Sequence, residues 1–509
     1  MGLFSVIIWL FHEIQTIYHI ILSPIRGITH KERLESFYAG QAKNYDSYRK
    51  KLLACREILL DKLPRDGIWV DMGGGTGFNI EYMAKPDRLK YYKKVYLVDL
   101  SPSLLQIANH VPLVDIDGDR FGTESTFRGS SWRGKDCNDL SSKIRPGARS
   151  VKGDFVIDHN CNGIFGMDSS TNRPWEDELC NDTQQIGVAI LGDSVSAHFH
   201  IPEQWLDASQ ASSSVFEHML FIIENELDWP QLSGSTGYLN ISWPNIAGPT
   251  RSTYARFFER DHCNHRDYQN IAVNGARSLS MINISKTLTR DPENDVPLLV
   301  FYALVGNDVC NGYPNTIDHM TTVEEMRTNI LTVLTYLDTI LPKGSHLLTT
   351  GLANGSLLYE LLHNRIHPLG RVGTPVTYAQ FYTYLSCLQV SPCNGWLTTN
   401  DTLRAFTSQR AVDLSEAIRN VTLEYSPKNF DLDYFYVSVA DVFAAWIAQG
   451  GEPWQLVESV DGFHINQYGH ALISDFTWTW LEKNKPHWLP QWNPHNADIE
   501  RIFKDQGGY

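Results

Sequence analysis

The sequence predicts an α/β protein built on a central parallel sheet. Two continuous apolar runs, 186–191 and 297–305, have the length and composition of strands that are buried on both faces of a parallel sheet. Each run ends in a glycine followed by polar residues, with Ser194 after the first run and Asn307 after the second. Because ligand sites of open α/β sheets lie at the carboxyl ends of the strands, these two turns are candidates for a functional site.

The length and composition are typical of a globular protein with more than one domain. The chain has 509 residues, of which 42% are hydrophobic and 20% charged, and this composition excludes a disordered protein. The formal net charge of -15 offers no basic surface on which phosphates could be neutralised. We therefore expect no nucleic acid among the partners.

The chain begins with an apolar segment, which we assign to residues 1–30. Residues 2–22 lack the basic start and the small-residue cleavage site of a signal peptide, so no cleavable signal is recognised. A membrane span needs about 20 apolar residues, and this stretch contains Glu13. Two alternatives stay open, namely a helix that contacts or anchors in a membrane through residues 2–22 and a helix that is buried in the protein.

A glycine-rich turn follows the first predicted strand, residues 68–71. The sequence GGGTG at 73–77 allows a ligand to approach the backbone closely, and a second strand, 95–98, ends in an acid that could hold a ribose. The segments around this turn resemble the methyltransferase half of fungal betaine-lipid synthase, a family that uses S-adenosylmethionine. The resemblance implies cofactor contacts for Asp71, Gly73, Gly75 and Asp99.

This resemblance ends near Asn109, before the strands that would close the cofactor pocket. Residues 31–110 are therefore predicted to be a truncated, partly Rossmann-like methyltransferase fragment that does not bind S-adenosylmethionine. The alternative is that this part is an S-adenosylmethionine-dependent methyltransferase of betaine-lipid synthesis.

Ser194 has a complete set of partners for nucleophilic catalysis. A serine hydroxyl is a weak nucleophile that needs a base and a group to orient that base. The sequence Asp461-Gly462-Phe463-His464 offers both, because a separation of three residues lets the carboxylate reach Nδ1 and leaves Nε2 to face the serine. We predict Ser194, Asp461 and His464 as the catalytic residues.

From residue 111 to the carboxyl terminus the sequence resembles the acyloxyacyl hydrolases of the GDSL (SGNH) class. The similar segments include LGDSVSAHFHIP, NELDWPQLSG, HCNHRDYQ, GNDVCNG and DGFH. The resemblance implies a three-layer α/β/α SGNH fold for residues 186–509. It also implies an oxyanion hole formed by Ser194, Gly275 and Asn307, and it favours structural or pocket-lining roles for His198 and His200 over metal binding. Asp193 is expected to be a turn or helix-cap acid without a catalytic role.

The same resemblance implies the activity and the substrate. The enzyme would be a serine esterase that removes fatty acyl chains from acylated lipids through an acyl-enzyme. Secondary acyl esters of lipid A are the favoured target, with phospholipids and other acylated glycolipids as alternatives.

Acidic residues are concentrated in residues 111–185. Asp115, Asp117 and Asp119 alternate along the chain, so that their oxygens could surround one hard cation. The loop is not an EF-hand, because Arg120 stands where that motif has glycine. The resemblance implies calcium in this segment, and a solvated acidic loop is the alternative.

The cysteines indicate an oxidising compartment and leave one thiol over. Widely spaced cysteines and Asn-x-Ser/Thr sequons favour the secretory pathway, with an extracellular or lysosome-like destination, whereas a methyltransferase fragment belongs in the cytosol. Seven cysteines lie after residue 111. In the similar family a saposin-like small subunit is disulfide-linked to the catalytic part, and Cys387 lies in the block that resembles the linking region. Cys387 is therefore the candidate for a disulfide to a partner.

Overall fold

The structure of the chain is a computed structural model. The structure describes residues 115–509 except 182, 217 and 240–245, together with short pieces of residues 60–98. The predictions for residues 2–22 and for Gly73, Gly75 and Asp99 lie outside the described residues. Within the described part, no helix has the length and apolar character needed to cross a membrane.

The chain divides into two compact units, Met1–Ile116 and Asp117–Tyr509. In the first unit, strand β1 (Ile68–Met72) pairs in parallel with strand β2 (Lys94–Val98). Asp71 lies in β1, so its backbone belongs to a strand, as the sequence predicts. The relation of this unit to methyltransferases stays a prediction.

The second unit contains a sheet of five parallel strands, which confirms the predicted α/β class. The strand order is β6-β5-β7-β8-β9, so β5 and β7 lie inside the sheet. The strands are β5 (Gly187–Gly192), β6 (Tyr268–Asn270), β7 (Leu298–Ala303), β8 (Ser345–Thr350) and β9 (Phe430–Phe435). A separate antiparallel pair is formed by β3 (Met167–Asp168) and β4 (Arg173–Pro174).

Helices cover the five-stranded sheet and extend beyond it. The described α-helices are α1 (Trp175–Leu179), α2 (Ser194–Ala197), α3 (Met219–Glu224), α4 (Thr253–Arg260), α5 (Ser278–Ile284), α6 (Val323–Ile340), α7 (Ser356–Leu362), α8 (Tyr378–Cys387), α9 (Asp401–Glu424), α10 (Val439–Ala448), α11 (Gln467–Asn484) and α12 (Asn496–Phe503). The longer ones begin at side-chain caps; Thr322, for example, accepts a hydrogen bond from the Glu325 amide at the start of α6.

The two faces of the sheet are buried in different hydrophobic cores. On one face, Leu191 and Val300 pack in a core with residues of α6 and α9. On the other face, Ile190 and Phe301 pack in a core with residues of α4 and α11. Because both faces are covered, β5 needs apolar residues at every position, and all six of its residues are buried. The arrangement is the three-layer α/β/α fold that the sequence predicts.

Three disulfides join segments that are distant in the sequence. They link Cys137 to Cys161, Cys180 to Cys263 and Cys310 to Cys393. Among the described cysteines, Cys387 alone is unpaired, and it is exposed. Cys387 is thus a free thiol in the structure, as the sequence predicts.

Candidate active site

Ser194 lies in a sharp turn between β5 and α2. Gly192 ends the strand, and a Cβ atom built there would lie 2.0 Å from Oγ of Ser196, so no larger residue fits without a shift of its neighbours. Asp193 caps α2 by accepting a hydrogen bond of 3.1 Å from the amide of Val195. The turn therefore presents Ser194 at the carboxyl end of a central strand.

The carboxylate of Asp193 also connects this turn to the loop after β7. Its Oδ2 atom accepts hydrogen bonds from the amides of Val305, at 2.7 Å, and Gly306, at 3.4 Å. Burial raises the pKa of the Asp193 carboxyl, although these backbone hydrogen bonds act in the opposite direction. Asp193 is a cap residue, as predicted, and in addition it fixes the loop that carries Asn307.

The three predicted catalytic side chains form one continuous chain of contacts. The Nε2 atom of His464 lies 2.8 Å from Oγ of Ser194, and its Nδ1 atom lies 2.5 Å from Oδ2 of Asp461. The other oxygen of Asp461 accepts hydrogen bonds from the amides of Phe463, at 2.8 Å, and His464, at 3.0 Å. The carboxylate is thus held by its own loop while it orients the imidazole.

The charges of Asp461 and His464 stabilise each other. Burial disfavours the charged form of both groups, but it is outweighed by their attraction and hydrogen bond together with the backbone amides that bind Asp461 and the carboxylates of Asp193 and Glu458 near His464. As a result the pKa of Asp461 is lowered and the pKa of His464 is raised. His464 therefore accepts a proton more readily than a free imidazole, which suits a general base for Ser194.

The three predicted oxyanion-hole residues do not all line the same cavity. Ser194 and Asn307 line the same cavity, whereas Gly275 is not among the described residues that line it. The backbone of Gly275 has a φ of +74°, and a Cβ atom built on it would meet nothing within 4 Å. Gly275 is therefore needed for its backbone conformation rather than for close packing, and its role as a donor stays a prediction.

A mainly apolar cavity opens beside Ser194. It extends between the carboxyl ends of the strands and the helices α10 and α11. Its apolar lining includes Phe301, Leu358, Trp396, Val442, Phe443, Phe463 and Ile473. Such a lining suits the burial of a hydrocarbon chain next to the nucleophile.

Comparisons with known proteins agree with this geometry. Residues 188–476 match the family model described as GDSL-like Lipase/Acylhydrolase. The acyloxyacyl hydrolase of Mus musculus is 45% identical over 405 residues, which cover 80% of this chain and 70% of that protein. Those of Oryctolagus cuniculus and Homo sapiens are 45% and 43% identical over the same shares. The chain belongs to the acyloxyacyl hydrolase family.

Membership of this family confirms two predictions made from the sequence. The chain is a serine ester hydrolase, and it removes fatty acyl groups from their esters. The acylated-lipid substrate class follows from the same family.

Side chains from a separate segment of this acyloxyacyl hydrolase family member support the catalytic loop, residues 457–465. Three side chains donate hydrogen bonds to its carbonyl oxygens: Nε2 of His367 to Val460 at 2.8 Å, the Tyr382 hydroxyl to Gly462 at 3.0 Å, and the Tyr378 hydroxyl to Ser459. The segment that supplies these donors, residues 367–382, is called the buttress below. The buttress has no signature in the sequence, because a hydrogen bond to a carbonyl places no demand on the sequence of the loop that accepts it.

Two further histidines of this family member lie near the catalytic one. His198 is fully buried, and its ring centroid lies 4.1 Å from that of His470 in an edge-to-face contact. Burial lowers the pKa of His198 well below its usual value and that of His470 to about 3, so both are neutral. Among the described residues, the groups that could hold a metal ion contain no histidine. His198 is accordingly a packing residue, and His470 lines the apolar cavity.

The acidic segment brings three carboxylates together. One oxygen from each of Asp117, Asp119 and Asp136 lies within 4.8 Å of the others. Asp119 and Asp136 are buried, with 6% and 1% of their surface exposed. From the sequence, Asp136 is one of the further acidic residues of this segment but not a predicted ligand, because it lies outside the alternating pattern. Asp115 belongs to the amino-terminal unit, and its part in a metal site stays a prediction.

Proposed function

We propose that Ser194, His464 and Asp461 hydrolyse fatty acyl esters of lipids through an acyl-enzyme. The observation that carries the proposal is the Ser194–His464–Asp461 chain of contacts at the wall of a mainly apolar cavity. This arrangement combines an activated nucleophile with a place for a hydrocarbon chain.

In the first half of the reaction, Oγ of Ser194 attacks the carbonyl carbon of the ester while its proton passes to Nε2 of His464. Collapse of the tetrahedral intermediate breaks the bond to the alcohol oxygen, which takes the proton from His464, and the acyl group remains on Ser194. Asp461 keeps the proton of Nδ1 in place and stabilises the imidazolium. Water then repeats the two steps and releases the fatty acid.

The negative oxygen of each intermediate needs hydrogen-bond donors. We assign this role to the Ser194 amide, the Gly275 amide and the side-chain amide of Asn307. The shared cavity supports Ser194 and Asn307 in this role, and a preorganised donor of this kind is worth about 3 kcal/mol of transition-state stabilisation.

Among acylated lipids, we favour secondary acyl esters of the lipid A type, with phospholipids as the alternative. The similarity to three proteins named acyloxyacyl hydrolase supports this choice, since in such an ester one fatty acid is bound to the hydroxyl of another. The apolar cavity would receive the acyl chain that is removed.

The decisive experiment compares the wild-type protein with Ser194→Ala. Wild type should hydrolyse an acyloxyacyl lipid and react with a fluorophosphonate probe, whereas Ser194→Ala should do neither. Ser196→Ala, two residues further along, serves as the control for labelling. Labelling of Ser194→Ala at the wild-type rate would disprove the assignment.

We further propose that the acidic segment binds calcium. Carboxylate oxygens are the ligands that calcium prefers, and the cluster of Asp117, Asp119 and Asp136 fits a hard cation that would offset the repulsion between buried acids. A chelator should lower both the melting temperature and the esterase activity, and added calcium should restore them. An unchanged melting temperature would contradict the proposal.

The hydrolase unit is proposed to act in the secretory pathway, outside the cell or in a lysosome-like compartment. Its three disulfides support this, because disulfides persist in oxidising compartments. The exposed thiol of Cys387 would bond to a partner protein, and residues 2–22 would contact membranes.

The amino-terminal unit is proposed to be a truncated methyltransferase-like fragment that is fused to the hydrolase. The parallel pairing of β1 with β2, on either side of the glycine-rich sequence, supports this origin. Titration of the full chain with S-adenosylmethionine should show no binding. Saturable binding would favour the alternative function of methyl transfer.

A further inference from the structure

A second buried contact connects the catalytic loop with the segment that follows the nucleophile. Oε2 of Glu458 lies 2.7 Å from Nδ1 of His200. The side chains are only 4% and 10% exposed, respectively. Glu458 belongs to the loop of Asp461 and His464, and His200 comes six residues after Ser194, so the pair joins the two halves of the catalytic machinery.

On the loop side, Glu458 is tied directly to the catalytic histidine. Its amide donates a hydrogen bond of 2.8 Å to the carbonyl oxygen of His464, and its own carbonyl accepts one of 2.9 Å from the amide of Gly462. Val457 and Ile465 pair as a β-bridge that closes the base of the loop. A displacement of Glu458 would therefore move the backbone of His464.

On the nucleophile side, His200 is held by its main chain. Its amide donates to the carbonyl oxygen of Leu227 at 3.0 Å, and its carbonyl accepts a hydrogen bond of 3.2 Å from Nε1 of Trp229. The preceding residue, Phe199, places its ring centroid 4.8 Å from that of His464. The main chain of His200 is thus held in place near His464, and the side chain of Glu458 contacts the His200 ring.

We propose that Glu458 and His200 are positioning residues that hold His464 at hydrogen-bond distance from Ser194. This inference rests on the proposed function, because it concerns the geometry of that reaction. Neither residue touches the reacting atoms. Their contribution is to the alignment of the base, which matters because a displacement of about 1 Å can lower a rate by about a hundredfold.

The pair also acts on the charge of the base. Burial raises the pKa of the Glu458 carboxyl, the partner His200 lowers it, the neighbouring Asp461 raises it, and His464 lowers it. When ionised, Glu458 adds to the rise in the pKa of His464. The titratable groups that act on His464 are Asp461, Asp193, Glu458, His198 and His470. Removal of the Glu458 charge should therefore lower the pKa of His464.

The first test is Glu458→Gln, which keeps the shape and can still accept a hydrogen bond from His200. We expect kcat to fall about tenfold, with KM within about twofold of wild type. Because the reaction needs neutral His464, the acidic limb of the pH profile should move to lower pH. A substitution with a purely structural effect would not move this limb.

The matched control is Glu424→Gln, an exposed residue at the end of α9 that pairs with Arg327. Its kcat and pH profile should equal those of wild type. If Glu458→Gln, with an unchanged melting temperature, also had the wild-type kcat and acidic limb, the proposal would be wrong. A wild-type protein without esterase activity would instead refute the proposed function.

The second test uses the cavity behind the catalytic loop, which both His200 and Glu458 line. His200→Ala should lose activity, and imidazole should enter the space and restore part of it by replacing the lost ring beside Glu458. Imidazole should restore less activity in His200→Ala/Glu458→Gln than in His200→Ala, because the glutamine can still accept a hydrogen bond from imidazole but carries no charge. A folded His200→Ala variant with wild-type kcat, or one that imidazole does not restore, would overturn the proposal.

Discussion

The nucleophile turn and the catalytic loop are held by different kinds of contact. The turn is held by Gly192, which has no room for a side chain, and by Asp193, which accepts hydrogen bonds from the backbone amides of Val195 and Val305. In the loop, residues 457–465, side chains of the buttress donate hydrogen bonds to the backbone, and His200 contacts the side chain of Glu458. The turn of Ser194 is therefore held by its own residues and by one bridge to the loop after β7, whereas the loop of the base depends on side chains from several distant segments.

This difference has a consequence for the effect of substitutions. A change in the turn acts on Ser194 and Asn307 together, since Asp193 joins their two loops. A change in the buttress acts on the loop of Asp461 and His464 and leaves the serine in place. The two regions can thus be disturbed separately, and the kinetics of ester hydrolysis will distinguish them.

The largest effect is expected from Asp461→Asn. The amide would no longer stabilise the imidazolium and would favour the wrong tautomer of His464, so kcat should fall about 10⁴-fold with little change in KM. The measurement is the hydrolysis of a soluble fatty acyl ester. Asp413→Asn, an exposed residue on α9, is the control and should behave as wild type. A loss of less than tenfold would mean that the loop does not supply the orienting carboxylate.

An intermediate effect is expected from Asp193→Asn, which disturbs the turn. An amide can accept hydrogen bonds through one oxygen only, so the amides of Val195 and Val305 can no longer both be satisfied by this side chain. An unsatisfied buried amide costs about 1 to 3 kcal/mol of folding free energy, so the melting temperature should fall. The resulting shift of the Ser194 turn and the Asn307 loop should lower kcat by about tenfold to a hundredfold. Calorimetry and steady-state kinetics test this; an unchanged melting temperature would speak against the bridge.

The sequence predicts the turn far better than the surroundings of the loop. The strand before Ser194 is a continuous apolar run, and the separation of Asp461 from His464 is short enough to indicate their contact directly. In contrast, the contact of Glu458 with His200 spans 258 positions and follows no local pattern. The contact of Asp136 with Asp117 and Asp119 likewise follows no spacing from which it could be predicted. Local geometry can be inferred from spacing, whereas contacts between distant segments require the fold.

The smallest effect is expected from Tyr382→Phe in the buttress. The substitution removes one hydrogen bond of 3.0 Å to Gly462 and leaves the packing of the ring, so the free energy of unfolding should fall by about 1 kcal/mol and kcat by a few fold. KM should stay constant, because the cavity beside Ser194 is not altered. Tyr384→Phe is a matched control on the same helix, since Tyr384 is 62% exposed and should be silent. If Tyr382→Phe reduced kcat no more than Tyr384→Phe does, the loop would hold its own conformation, and the buttress would not be needed to position the base.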